Sequence, residues 1–192
     1  MPKLGMEPIR RAALVKATID CIGAQGSLDV TVSQIAKQAG MSSALAHHYF
    51  GGKDQIFLAA MRQILRDFAA EVRDGLQGAH SPRARAEALI AASFAPSCFD
   101  PATVSAWMTL YAQATTQTDM HRLLRLYQRR LHSNLTHALR PLSPSPVADA
   151  TTMAALIDGL YLRQGLNQND DSGAVAPGHV LALLQAELEN RP

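Results

Sequence analysis

Apolar residues recur every three or four positions along most of this chain, which is the spacing of one face of an α-helix. After Lys53 the stripe consists of Ile56, Phe57, Ala60, Ile64, Phe68 and Val72. Similar stripes run through residues 147–168 and 177–189. Few segments alternate with a period of two, and Ala and Leu outnumber Val and Ile. The pattern therefore predicts an all-α fold.

Glycines, prolines and capping residues divide this pattern into nine predicted helices, without an internal repeat. Their approximate bounds are 7–25, 31–39, 42–49, 53 to 75 or 78, 82–95, from 101 through at least 111, 120–140, 147–168 and 177–189. Asp119 is the predicted N-cap of the seventh helix. The chain of 192 residues is long enough for one large or two small domains.

The second predicted helix has a well-defined start. Thr31 and Gln34 have the spacing of a capping box, in which each side chain satisfies an exposed backbone N–H at the helix start. Val30 and Ile35 flank the box as a hydrophobic staple would. These signals predict that a helix begins at Thr31.

The third predicted helix follows after a tight turn. Gly40 stands after Ala39, where a helix end favours a residue that tolerates positive φ, and Ser42 is a good N-cap for a helix to about Tyr49. Two short helices joined in this way have the shape of a helix-turn-helix, which fits a DNA major groove. From capping and glycine alone, an ordinary helical corner remains an equal interpretation.

The residues of this stretch favour the first interpretation. It resembles the DNA-binding module of the TetR family of bacterial repressors in Thr31, Ile35-Ala36-Lys37-Gln38-Ala39-Gly40, Ser42, His48-Tyr49-Phe50 and Lys53. The resemblance implies a three-helix DNA-binding module at about residues 8–52, with its motif at 31–50. It also implies a helical ligand-binding and dimerisation domain at 53–192. Many members carry leucine and tyrosine where this chain has Ala46 and His47.

The expected DNA contacts fall into two groups. Hydroxyl, imidazole and ammonium groups suit phosphates, whereas small or polar groups on the third helix suit base edges. The candidates for phosphate contact are Ser42, His48, Tyr49 and Lys53, those for base contact are Ser43, Ala44 and His47, and Thr31 and Ser33 complete the expected DNA-binding set.

The charge distribution agrees with a nucleic-acid partner at the N-terminal end. Through Lys53 the bases are Lys3, Arg10, Arg11, Lys16, Lys37 and Lys53, against the acids Glu7, Asp20 and Asp29. The remainder is slightly acidic, although the whole chain has a formal net charge of only +2. A basic module on a nearly neutral body suits phosphate contact.

A helix-turn-helix protein that binds a palindrome needs two recognition helices roughly 34–36 Å apart, so a homodimer is expected. The eighth and ninth helices are amphipathic, and paired across a two-fold axis they would make a four-helix bundle. The expected interface residues are Leu156, Leu160, Leu181, Leu184 and Leu188. Packing of these stripes within their own domain is the alternative.

Aromatic residues are scarce in this chain, at 5%, so a group of them in one domain is informative. Aromatic faces bind quaternary ammonium cations, and a carboxylate adds charge pairing. The expected ligand-binding residues are Trp107, Tyr111, Tyr127, Asp158 and Tyr161. For any single ring, core packing is the commoner role.

The chain also resembles the BetI subgroup of TetR repressors, which control choline oxidation to glycine betaine. The matching segments are Met1–Met6 with Ile9–Arg11, Ala46–Phe50, Ala106-Trp107, Arg129–Leu131 with Ser133–Leu135, and Ala155–Leu160 with Leu162-Arg163. The resemblance implies a repressor of choline-to-glycine-betaine genes that choline or a related quaternary amine releases from a palindromic operator. Tyr111 and Tyr161 stand where relatives often have tryptophan, and tyrosine offers a weaker π face.

Two alternatives stay open. One is a TetR-type regulator of another pathway with an uncharged apolar effector, and the other is a small helical enzyme or adaptor. Neither metal-ligand spacing nor a phosphate-binding loop or nucleophile elbow is present, so no metal, cofactor or catalytic residue is expected. Cys21 and Cys98 do not suggest a disulfide framework. Without a signal peptide or a long apolar run, a cytoplasmic location is expected.

Overall fold

The structure is a computed structural model, and it describes residues 5–26, 29–167 and 176–189. Within these residues the chain forms nine α-helices and one short 3₁₀ helix, and no strand. The helices are α1 (Met6–Gln25), α2 (Val32–Gln38), α3 (Ser43–Phe50), α4 (Lys53–Gln77), α5 (Pro82–Ser93), α6 (Pro101–Ala114), α7 (Thr118–Leu139), α8 (Pro146–Leu166) and α9 (Ala176–Glu189), and the 3₁₀ helix is Pro96–Phe99. The predicted all-α fold is confirmed.

Helix bounds agree with the predicted ones to within a few residues, with two corrections. The fifth helix ends at Ser93, because the backbone N–H of Phe94 donates to the carbonyls of Ala91 and Ala92 instead of continuing the α-helical pattern. The seventh helix begins at Thr118, so Asp119 is a first-turn residue and not the cap. A first-turn carboxylate still favours the helix dipole. Gln168, the predicted end of the eighth helix, lies outside the described residues.

The chain divides into two compact units. The first contains residues up to Arg66 together with Asp100–Leu123, and the second contains Asp67–Phe99 and the residues from Leu124 onward. The domain boundary predicted at residue 53 stays a prediction.

In the first unit, α1 packs against α2 and α6, and α2 packs against α3. The core residues Leu14, Ile22, Ile35, Ala46 and Phe57 are at most 1% exposed. Burying each of the larger apolar side chains contributes on the order of 1.5–3 kcal/mol to folding. This packing holds the two short helices α2 and α3, which are too short to be stable alone.

Gly23 of α1 lies closely against Ala102 of α6. A Cβ atom added there would lie 2.8 Å from the Cβ of Ala102, which is closer than two carbons can pack. We therefore expect Gly23→Ala to lower the free energy of unfolding by about 1–3 kcal/mol through overpacking. Gly75→Ala on α4 is the matched control, because its Cβ would lie at an ordinary 3.8 Å from the Cβ of Ala88.

The control variant should instead gain about 0.5–1 kcal/mol from helix propensity. Urea unfolding followed by circular dichroism measures both variants. If the two substitutions stabilised the protein equally, the helices at Gly23 would be able to accommodate a methyl group without loss of free energy.

In the second unit, α8 and α9 pack together and both contact α5. The core of this unit consists of Val72, Ala86, Leu89, Ile90, Ala92, Leu131, Leu135, Ala138, Leu139, Ala150, Met153, Ile157, Val180 and Leu184. Of the helices in the described part of the chain, none is both long and apolar enough to cross a bilayer.

Candidate DNA interface and effector site

The start of α2 has the predicted capping box. The Thr31 hydroxyl accepts from the backbone N–H of Gln34 at 3.2 Å, and the Gln34 side-chain oxygen accepts from the backbone N–H of Thr31 at 2.7 Å. Val30 and Ile35 are 0% and 1% exposed, as a hydrophobic staple requires. The first helix of the motif is therefore fixed at its N-terminus by its own sequence.

The turn between α2 and α3 is equally well defined. Gly40 has φ of 67°, and the N–H of Met41 donates to the carbonyl of Ala36 at 2.8 Å, which together form a Schellman motif. The Ser42 hydroxyl then accepts from the N–H of Leu45 at 3.2 Å and caps α3. Both turn predictions are confirmed, and a side chain at Gly40 would strain the turn.

One face of α3 is buried and the other is exposed. Ala46 is fully buried, whereas Ala44, His47 and His48 are exposed. Of the other predicted DNA-contacting residues, Thr31, Ser33 and Ser42 are exposed, and Ser43, Tyr49 and Lys53 are half-buried. The fold thus leaves all nine candidates at least partly accessible, and Lys53 follows directly after the Gly51-Gly52 break as the first residue of α4.

The C-terminal end of α3 is closed by His47. The N–H of Gly51 donates to the carbonyl of His47 at 2.7 Å. In the other direction, Nδ1 of His47 lies 3.1 Å from the carbonyl oxygen of Gly51. Gly51 itself has φ of 78°. The His47 imidazole is therefore held in place by a contact with the C-terminal end of its own helix.

Two arginines of α1 adjoin the end of α3, and the sequence analysis did not assign them to the site. Arg10 donates to the Tyr49 hydroxyl at 3.4 Å. The guanidinium carbon of Arg11 lies 5.6 Å from the Tyr49 ring centre and 5.1 Å from that of Phe50. Since Arg10 donates to the Tyr49 oxygen, the hydroxyl hydrogen stays available for another acceptor, such as a phosphate. The sequence feature that pointed to these arginines was the excess of basic residues before Lys53.

The five predicted ligand-binding residues are divided between the two units. Trp107 and Tyr111 lie on α6 in the first unit, with ring centres 5.9 Å apart and planes inclined by 34°. Trp107 is buried and Tyr111 is half-buried. Tyr127, Asp158 and Tyr161 lie in the second unit. The expected set is therefore split between the two units, and its role in binding a ligand stays a prediction.

In the second unit, a half-buried carboxylate lies against a phenol. The Tyr127 hydroxyl on α7 donates to Oδ1 of Asp158 on α8 at 3.0 Å. Burial raises the pKa of Asp158, and the hydrogen bond from Tyr127 offsets part of that rise. Among the described residues, no lysine, arginine or histidine forms an ion pair with this carboxylate. When Asp158 is ionised, its charge is therefore stabilised by the Tyr127 hydrogen bond and not by an ion pair within the described part of the chain.

Two aromatic pairs accompany this carboxylate. The ring of Phe68 on α4 meets that of Tyr127 edge-on with centres 6.2 Å apart. The ring of Phe99 lies 5.2 Å from that of Tyr161. Asp158 and Tyr161 are three residues apart on α8 and so share a face. We call Phe68, Phe99, Tyr127, Asp158 and Tyr161 the aromatic–acid cluster.

The sequence analysis missed Phe68 and Phe99 as members of this cluster. Phe68 was counted only with the apolar stripe of α4. Phe99 belongs to the 3₁₀ helix, where no helical periodicity marks it. That segment is held by specific contacts: the Tyr161 hydroxyl donates to the carbonyl of Cys98 at 2.9 Å, and the Ser97 hydroxyl donates to Glu71 of α4 at 2.7 Å.

Comparison with known proteins assigns both halves of the chain. Residues 14–60 match the model of bacterial regulatory proteins of the tetR family, and residues 82–190 match that of the BetI-type transcriptional repressor C-terminal domain. A Brucella melitensis relative named HTH-type transcriptional regulator BetI is 46% identical over 100% of this chain and 98% of its own. One of the same name from Rhizobium meliloti is 49% identical over 86% and 83%.

The chain belongs to the TetR family and is a BetI-type transcriptional repressor. It is a regulator and not an enzyme, since the relatives are named as transcriptional regulators.

Solved TetR-type structures have the same fold. A putative transcriptional regulator from Pseudomonas aeruginosa PAO1 matches with a TM-score of 0.81 at 24% identity, over 96% of this chain and 92% of its own. A putative transcriptional regulator from Saccharomonospora viridis, solved in complex with choline, matches with a TM-score of 0.84 at 20% identity, over 94% and 98%. At these identities the likeness shows the fold alone.

TetR-family regulators are typically dimers, which makes the surface of α8 and α9 relevant. Leu156 and Leu160 pack partly against the core of the second unit, and Leu181 is 38% exposed. Leu184 is 1% exposed, so this BetI-type chain already buries it within its own core and leaves it almost no surface for a partner. The side chain of Leu188 lies outside the described residues. The interface role of the accessible leucines stays a prediction.

The surroundings of the two cysteines in this repressor indicate a structural role for both. Burial, and secondarily the charge of Asp20, raises the pKa of the Cys21 thiol, which keeps the less nucleophilic protonated form. The Cys98 thiol donates to the carbonyl of Ala92 at 3.5 Å. No grouping of His, Cys, Asp and Glu in the described segments is suited to a metal ion.

Proposed function

We propose that this protein represses genes for the conversion of choline to glycine betaine, and that choline or a related quaternary ammonium compound releases it from DNA. A homodimer would bind a palindromic operator through two copies of α3. The names of the relatives support this pathway, and the choline complex of the Saccharomonospora viridis regulator supports this class of effector.

The observation that carries the effector proposal is the aromatic–acid cluster. A quaternary ammonium group has no N–H to donate, so a protein binds it through ring faces and a nearby negative charge. Asp158 supplies a carboxylate without an ion-pair partner among the described residues. Tyr127 bonds to Asp158, Tyr161 follows Asp158 by about one turn of α8, and the rings of Phe68 and Phe99 contact those of Tyr127 and Tyr161. Trp107 and Tyr111 remain candidate ligand contacts of the first unit.

Release would follow from linkage. An effector that binds more tightly to a conformation with wrongly spaced recognition helices must lower operator affinity by the same factor as the operator lowers effector affinity. Helix α4 is suited to transmit the change, since it begins at Lys53, directly after the predicted DNA-binding module, and carries Phe68 of the aromatic–acid cluster.

The experiment that tests the proposal is selection of bound fragments from genomic DNA, with and without choline. The expected result is enrichment of palindromic sites beside choline-oxidation genes, and loss of that enrichment when choline is added. Enrichment beside other genes, unchanged by choline, would favour regulation of another pathway. Absence of any duplex binding would favour an adaptor.

Titration distinguishes the cationic effector from the uncharged alternative. Choline, betaine aldehyde and the neutral choline analogue 3,3-dimethyl-1-butanol are added in turn while the fluorescence of Trp107, the single tryptophan, is followed. Choline should produce a saturable change at concentrations where the neutral analogue produces none. An equal response to both would contradict the role of charge.

Replacing Lys53 with Ala should weaken binding to operator and non-operator DNA alike. A plot of log affinity against log salt concentration has a negative slope. If each Lys53 ammonium neutralises one phosphate, this slope should become less steep by about 0.9 per half-site. Lys16→Ala is the matched control, because Lys16 is an exposed lysine of the same unit that pairs with Asp20 at 2.7 Å. Fluorescence anisotropy at several salt concentrations measures the slope, and an unchanged slope would remove Lys53 from the phosphate contacts.

A further inference from the structure

The contact at the end of α3 fixes which nitrogen of His47 carries the proton. A backbone carbonyl oxygen can only accept a hydrogen bond. Because Nδ1 of His47 lies 3.1 Å from the carbonyl oxygen of Gly51, Nδ1 must be the donor. In a neutral imidazole the other ring nitrogen then has no proton and is an acceptor. His47 therefore presents Nε2 as an acceptor.

This acceptor lies on the exposed side of the recognition helix. His47 is exposed, and it follows the exposed Ala44 by three residues, so both share a face of α3. The buried side of the helix is a different one and carries Ala46, which is 0% exposed. The ring is also held in place, because the bond to Gly51 fixes its orientation before DNA is present, which reduces the entropy lost on contact.

In the major groove, only cytosine N4 and adenine N6 present donors, and they do so through exocyclic amino groups. Guanine O6, the purine N7 atoms and thymine O4 are acceptors, which an unprotonated Nε2 cannot bond. We infer that His47 is a specificity-determining residue whose Nε2 accepts a hydrogen bond from the exocyclic amino group of a cytosine or adenine in each half-site. The inference rests on the proposed function, since it requires α3 to enter a major groove.

The structural alternative is that His47 only caps α3. Two substitutions separate these roles, because the amide nitrogen of asparagine can take the place of Nδ1, whereas the amide of glutamine reaches the place of Nε2. His47→Asn keeps a donor for the Gly51 carbonyl and loses the outer group. His47→Gln loses the cap donor and keeps an outer group that can both donate and accept, a combination suited to bidentate contact with adenine N6 and N7.

The experiment begins with selection from random duplex DNA at pH 8, where an imidazole in water is neutral. Wild type, His47→Asn and His47→Gln are compared. The wild type should select a palindrome, and His47→Asn should lose preference at one symmetric base-pair position while keeping the rest. His47→Gln should shift that position towards an A·T pair if the wild type selects cytosine there, and should retain the A·T pair if the wild type selects adenine. Retention of the full wild-type preference by His47→Asn would overturn the inference.

Base analogues then identify the contacted atom. At the position lost in His47→Asn, purine replaces adenine or 2-pyrimidinone replaces cytosine, which removes only the amino group. Wild-type affinity should fall on the order of tenfold per half-site, and that of His47→Asn should not change beyond the loss caused by weaker base pairing. An equal loss of affinity in the wild type and in His47→Asn would contradict the contact. The contact would also be contradicted if wild-type affinity fell only when 7-deazaguanine replaced guanine.

Failure of this inference and failure of the proposed function give different results. If the wild type selects no palindrome, then the proposed function fails and the inference fails with it. If the wild type selects a choline-sensitive palindrome but the amino group is not contacted, only the role of His47 is wrong. Thermal unfolding of each variant confirms that comparisons are made between folded proteins.

Discussion

Replacing Asp158 with Asn is expected to weaken choline binding on the order of 100-fold, the size typical for loss of one partner of a desolvated charge pair. Asparagine keeps an acceptor for the Tyr127 hydroxyl, which now donates to Asp158 at 3.0 Å. The substitution therefore removes the negative charge and little else. The rings of the aromatic–acid cluster would remain, so a residual affinity from cation–π attraction is expected.

The same substitution should stabilise the protein when no effector is present. Burial raises the pKa of Asp158, which means that the folded protein disfavours the charged form. Asparagine avoids that cost because it is neutral. The midpoint of thermal unfolding near neutral pH should rise in Asp158→Asn. Added choline should raise the midpoint of the wild type much more than that of the variant. A protein weakened in both choline affinity and stability would indicate a structural role for Asp158.

The pH dependence follows from the direction of the pKa shift. An unfolded aspartate titrates near about pH 3.9, and the folded one titrates at higher pH. The stability that the protonated carboxyl contributes is therefore complete below about pH 3.9 and is lost as pH rises through the folded pKa. Over the same window choline binding should strengthen, because the cation pairs with the ionised form.

Isothermal titration calorimetry at several pH values measures this dependence. The wild type should bind choline more weakly as Asp158 becomes protonated, whereas Asp158→Asn should show no such step. Asp74→Asn is the matched control, since Asp74 is an exposed aspartate of α4 in the same unit. A parallel pH dependence in Asp158→Asn would assign the titration to another group.

The helix-turn-helix could be predicted from sequence because its signals are local. Thr31 and Gln34 specify one helix start, Gly40 specifies a turn that needs positive φ, and Ser42 specifies the next start. Each signal acts over three or four residues, so neighbouring positions in the sequence are neighbours in space. Arg10 is different, because its contact with Tyr49 joins residues 39 positions apart.

The aromatic–acid cluster, the candidate effector site, was only partly predictable for the same reason. Asp158 and Tyr161 could be grouped because they share a helix face, but their partners come from α7 and the 3₁₀ helix. Phe99 becomes part of the cluster only through the fold that brings Pro96–Phe99 to Tyr161. Leu184 shows a different problem, because it was predicted at the dimer interface and is buried in the core. An apolar stripe shows that a helix face is covered, but it does not show whether the core or a partner covers it.

Leu181 gives the sharpest test of the proposed dimer interface. It is 38% exposed on α9, so replacing it with Glu should leave the folded protomer intact. If α8 and α9 form a two-fold interface, the change places a carboxylate in the interface twice, because both partners carry it. The cost of burying an unpaired charge should then raise the dimer dissociation constant at least roughly 1,000-fold.

Operator binding should fall with it. A dimer binds its second half-site as an intramolecular event, and loss of that linkage typically lowers affinity by about 100- to 10,000-fold. Leu181→Glu should therefore sediment as a monomer and bind the palindrome no better than a single half-site. Ala91→Glu on the exposed side of α5 adds the same charge and should change neither property. A Leu181→Glu protein that stays dimeric would show that the interface does not include this position on α9.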